Sequence, residues 1–84
     1  MHDLHEANKI LKVILDYAKQ NELKKVTQAA INLGSIIEHG SEILPENLHF
    51  NIIILAKGTV AEGLEVEIKK TKGDFWELEE IKGE

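Results

Sequence analysis

Between Leu4 and Gln20 the chain repeats its apolar residues with the period of an α-helix, and everything else has to be fitted around that stripe. At about 100° per residue, Leu4, Ala7, Ile10, Leu11, Val13, Ile14, Leu15, Tyr17 and Ala18 share one broad arc. His5, Asn8, Lys9, Lys12, Asp16 and Lys19 share the other. A helix with one apolar side must lie on a core. In 84 residues without a cysteine that core is built by packing alone, because no disulfide, thiolate nucleophile or cysteine-ligated zinc is available. Asp3 followed by Glu6 has the spacing of a capping box, which starts the helix at Leu4, and Asn21 suits a left-handed stop at its far end.

After that helix the period changes to two. From Lys24 to Leu33, Thr27, Ala29, Ile31 and Leu33 alternate with Gln28, Ala30 and Asn32, a strand with one buried face that Gly34 ends. Ser35 to Leu44 is a long connection whose Ile36, Ile37, Ile43 and Leu44 are too apolar to be free; it either packs down or extends the first strand. Pro45 suits the first position of a second helix running to Lys57 and stopping at Gly58. Leu48, Ile52, Leu55 and Ala56 form one stripe of it, while Phe50, Ile53 and Ile54 point elsewhere. Such a helix is buried on more than one side: either it is wedged between the first helix and the sheet, or its second face meets another subunit as in a homodimer. A turn at Thr59 to Gly63 leads to a strand in which Leu64, Val66 and Ile68 alternate with Glu65, Glu67 and Lys69. Lys70 to Asp74 then reads as a hairpin turn into a last strand, Phe75 to Lys82, with Trp76 and Leu78 on one face. Ile81 keeps that face only if a bulge intervenes. The fold class is α+β: residues 1–84 form one domain, a small open-faced sandwich of order α-β-α-β-β, with both helices on one face of a three-stranded sheet and charge on the other.

Several functions are excluded by what is missing. A net charge of -5, with lysines scattered singly or in pairs, provides no basic face for nucleic acid. The longest apolar run, Ile52 to Ala56, is too short for a membrane span, and no signal-peptide core precedes it, so the expected location is the cytoplasm. Ser35, Ser41 and His39 share a loop without a nucleophile elbow, Glu79 and Glu80 point to opposite faces of a strand, and there is no phosphate-binding glycine loop. An enzyme is not expected.

One feature carries positive chemistry. In Met1-His2-Asp3 the α-amine, the His2 amide nitrogen and the His2 imidazole can close adjacent chelate rings on one ion. That leaves a position for Asp3 or for a partner's ligand, which suits Ni(II) or Cu(II). His5 falls on the polar arc and, with His2 ahead of the cap, is out of helical register with it; His39 and His49 read as surface residues.

With these elements in place the chain resembles the HypA family of nickel-insertion chaperones for nickel–iron hydrogenase maturation. The residues that carry the resemblance are Met1-His2-Asp3 against the family's Met-His-Glu start, Lys24-Lys25-Val26-Thr27, Pro45-Glu46, Leu48 and Phe50. The run Gly58-Thr59-Val60-Ala61-Glu62-Gly63 leading into Leu64-Glu65-Val66-Glu67-Ile68 completes it. The resemblance implies a nickel site made by the terminal amine, His2 and neighbouring backbone nitrogens, with Asp3 assisting. It implies transient Ni(II) as cargo and a nickel-delivery GTPase or an apo-metalloenzyme subunit as partner. The family also carries a zinc domain with two Cys-x-x-Cys pairs between its last two strands, where this chain has only Lys70 to Asp74, so no zinc is expected. Asp3 is one methylene shorter than the family's glutamate, and the Ser35–Leu44 connection is longer and adds His39. Beside the metal carrier stands a second reading, a docking module that keeps the fold, binds no metal and works through the second face of the second helix, with Phe50, Ile53 and Ile54, or through an exposed sheet edge.

Overall fold

The strand with no charged residue takes the centre of the sheet. β1 (Val26–Leu33) is flanked by β4 (Glu65–Lys70), parallel to it, and by β5 (Trp76–Gly83), antiparallel to it. Both outer strands carry charges on alternate residues, as sheet edges do. The remaining elements are α1 (His2–Gln20), a short hairpin of β2 (Ile37–Glu38) and β3 (Ser41–Glu42), and α2 (Pro45–Leu55). The computed structural model describes residues 2–38 and 41–84, with the backbone alone for residues 2, 3, 38 and 41.

This strand order corrects the expected hairpin at Lys70 to Asp74. β4 and β5 lie on opposite sides of β1, so the segment between them crosses the end of the central strand. The crossing is held by backbone bonds: Thr71 N–H donates to Leu33 O at 2.9 Å, Gly34 N–H to Phe75 O at 2.8 Å and Ser35 N–H to Gly73 O at 2.8 Å. Gly34 makes so close a pass possible, since a Cβ there would lie 2.5 Å from the carbonyl oxygen of Gly73 and 2.8 Å from that of Phe75.

Two irregularities in the β1–β5 ladder set which side chains reach the core. Ala30 faces Glu80 and Ile31 faces Leu78, so Glu79 is the extra residue of a bulge, and Ile81 returns to the apolar side as its spacing required. The second shift lies between Val26 and Gln28. It turns Val26 into the core and leaves Thr27 exposed, with its hydroxyl donating to Lys82 O at 3.2 Å. Thr27 therefore does not share the face of Ala29, Ile31 and Leu33.

Both helices cover the same face of the sheet. α1 presents Ala7, Ile10, Leu11, Ile14 and Ala18, all buried, a narrower stripe than the full apolar arc. Tyr17, at the margin of that arc, is exposed. The helix ends in a Schellman motif, with Leu23 N–H donating to Ala18 O at 2.8 Å and Glu22 N–H to Lys19 O at 3.2 Å. The left-handed residue is Glu22 (φ 56°), and Asn21 instead donates its side-chain amide to Tyr17 O at 2.8 Å. α2 lies beside α1 and over β4, burying Leu48, Ile52 and, just past its end, Ala56. It is not wedged beneath α1: Phe50 is 63% exposed and Ile54 41%. The 35–44 connection packs down through Ile36 and the fully buried Ile43 instead of extending β1. On the open face of the sheet Glu67, Lys69, Glu79, Glu80 and Lys82 surround Gln28 and Ala30, with Lys69 bridging Glu67 and Glu79 at 3.8 and 3.9 Å. Among the described residues no helix is long and apolar enough to cross a membrane.

Candidate metal centre at the start of α1

α1 begins at His2, two residues before the expected start, so Asp3 lies inside the helix and is not its cap. The first N–H groups of a helix have no intrahelical acceptor. The His2 amide can therefore lose its proton to a metal without breaking the helical ladder. The same end carries the positive pole of the macrodipole, which eases loss of protons from nearby nitrogens and opposes an incoming cation.

One turn further on, the chain buries a carboxylate. Glu6 is 6% exposed; its Oε2 accepts from the indole Nε1–H of Trp76 at 3.0 Å and its Oε1 from Lys9 Nζ at 3.4 Å. Trp76 opens β5, so this hydrogen bond joins the N-terminal part of α1 to the sheet across 70 residues of sequence. Periodicity alone treats Glu6 as a polar first-turn residue. The signal that finds it is its spacing with Ala7 and Ile10, which puts it beside the core stripe and leaves a carboxylate there in need of a donor.

The predicted ligands do not all fall within this description. Met1 lies outside the described residues, and His2 and Asp3 are placed by their backbone, as the first two residues of α1. His5 is exposed, beside Leu4, Asn8 and Leu55, in a shallow depression between the start of α1 and the end of α2. Because His2 belongs to the helix, His2 and His5 are three residues apart in one helical register, contrary to the expectation that the cap separates them. His49 is exposed on α2, and His39 lies outside the described residues. Among the described residues no group of three or more histidine, aspartate or glutamate side chains converges as a metal cage. Phe50 and Ile54, one turn apart, are on the solvent side of α2, and Ile53 is half-buried against the core.

A family model described as hydrogenase/urease nickel incorporation, metallochaperone, hypA matches residues 1–77, which include both helices, β1, β4 and the first two residues of β5. The chain belongs to the HypA family. It is 32% identical over 75 residues to the hydrogenase maturation factor HypA of Archaeoglobus fulgidus, covering 89% of this chain and 64% of that protein. To the protein of the same name from Methanopyrus kandleri it is 32% identical, covering 89% of this chain and 50% of the relative. To that of Methanocaldococcus jannaschii it is 34% identical over 77 residues, covering 86% and 59%. The chain thus spans between half and two thirds of the length of these HypA relatives. Its β4–β5 connection, residues 71–75, contains no cysteine, and neither does the rest of the chain.

Proposed function

We propose that this chain is a nickel carrier that holds Ni(II) as cargo at Met1, His2 and Asp3 and hands it on during maturation of a nickel metalloenzyme such as a hydrogenase. Membership of the HypA family carries the reading, and the start of α1 at His2 supports it, because the amide of that residue is free of the helical ladder. The amine, the deprotonated His2 amide and the imidazole would supply three nitrogens in one plane, with the fourth position taken by Asp3 or by a ligand of the recipient. A nickel-delivery GTPase or an apo-metalloenzyme subunit is the recipient, and the work is done in the cytoplasm without catalysis. In this reading residues 1–84 are one nickel-binding domain, with the short β4–β5 connection where the family's zinc domain stands.

The test is titration of Ni(II) into protein beginning at Met1, beside His2→Ala and a version with extra residues before Met1. One equivalent bound with the absorbance of a square-planar site, lost in both controls, is the expected result. Equal binding in all three removes the metal from Met1 and His2. The docking-module reading retains one specific support: Phe50 and Ile54 are exposed together on α2, a face open to a partner or to a second copy. Absence of nickel binding in the authentic protein, with recipient binding lost in Phe50→Asp, favours it.

A further inference from the structure

Glu6 places a carboxylate at the edge of an apolar core, 6% exposed. Around it the inner side of α1 is Ala7, Ile10, Leu11 and Ile14; an apolar residue at position 6 would avoid the desolvation cost of a carboxylate but would take this acceptor from the Trp76 indole N–H. What distinguishes the position is its place in the fold. It is one helical turn from His2, it is tied to β5 through Trp76, and Trp76 is the single tryptophan of the chain. A chelate built on backbone nitrogens is only as well placed as the turn that carries them. A metal cation at a helix N-terminus also meets the positive end of the macrodipole. A carboxylate one turn from the helix start answers both needs, since its bond to the sheet fixes that end of the helix and its charge offsets the repulsion.

We infer that Glu6 is a positioning residue for the nickel site, acting with Trp76: the Trp76 indole N–H holds the Glu6 carboxylate, and the carboxylate holds the N-terminal end of α1 in place and stabilises the cation bound there. This inference rests on the nickel reading given above. Lys9, half exposed, bonds the other carboxylate oxygen, Oε1, at 3.4 Å, so its contact is separate from that of Trp76.

The two parts of the role separate in two variants. Glu6→Gln keeps an oxygen for the Trp76 N–H and removes the charge; Trp76→Phe keeps an aromatic ring, smaller than the indole, and removes the donor. Outer partners of metal ligands are worth roughly ten- to hundredfold in affinity. Each variant, measured in the full chain beginning at Met1, is therefore expected to bind Ni(II) about tenfold more weakly than the parent. Each is expected to keep its far-UV circular dichroism and to remain folded at the temperature of the titration. The square-planar absorbance at saturation should be unchanged in position, because neither residue is a ligand. His2→Ala, run alongside, tests the underlying reading. If His2→Ala abolishes binding while Glu6→Gln and Trp76→Phe bind as tightly as the parent, the nickel reading stands and the positioning role is overturned. If His2→Ala binds as the parent does, both fail. A purely structural role lowers the melting temperature of the two variants and leaves the affinity of the folded protein where it was, which also overturns the inference.

Discussion

The two helices lie side by side on one sheet and are built on different plans. α1 separates most of its residues, with a buried stripe from Ala7 to Ala18 and lysines, asparagine and aspartate on the solvent side, Tyr17 and Glu6 being exceptions. α2 carries apolar residues almost all round: it buries Leu48 and Ile52 and leaves Phe50 and Ile54 in water. The fold leaves Phe50 and Ile54 outside its core. The difference teaches where to look: on α2 at the apolar residues the fold leaves exposed, and on α1 at a carboxylate it buries, Glu6. The helices also end differently. α1 forces Glu22 into the left-handed region, while the turn after α2 gives that region to Gly58, at φ 81°.

The largest effect expected from this contrast is on the inner faces. Ile14 and Ile52 are fully buried on their respective helices, so Ile14→Ala and Ile52→Ala should each lose about 2–5 kcal/mol of stability in denaturant titration. Equal losses sharpen the view that both helices contribute alike to one core; a small loss at Ile52 breaks it. The ends come next. Glu22→Gly should gain and Gly58→Ala should lose about 1 kcal/mol each, because at Gly58 an added Cβ meets nothing and only the backbone conformation is strained. The smallest effect belongs to the outer face of α2, where Phe50→Asp should change stability by no more than about 0.5 kcal/mol. A larger loss would show that Phe50 supports the fold and is not surplus to it.

Much of this architecture was legible because periodicity reports burial. The element order, the helix at Pro45 and the bulge that returns Ile81 to the core all follow from spacing of apolar residues. Strand order did not follow, since a short Gly-containing connection serves a hairpin and a crossing equally well. The uncharged composition of Val26–Leu33 against the charged outer strands was the available sign that β1 is central. The displaced face of Thr27 came from a second bulge that leaves no mark in the hydrophobic pattern. At the candidate site, His2 was proposed from its place in the sequence, whereas the Glu6–Trp76 pair was not legible, because Trp76 stands 70 residues from Glu6 and only the packing of β5 beside α1 brings them together.

The claim on which the functional account turns is that the His2 amide nitrogen is itself a nickel ligand. The direct measurement is the number of protons released per Ni(II) bound by the chain beginning at Met1, in weakly buffered solution at a pH of about 8. There an ordinary imidazole, of pKa about 6.5, is already neutral. The account predicts release of one proton from the amide in addition to the fraction still held by the α-amine, together with the absorbance of a square-planar ion. It also predicts affinity that falls as pH drops from about 8 towards 6, because protons then compete for the amine and imidazole. Binding that releases no more than the amine's fraction, with the spectrum of an octahedral ion, would contradict it.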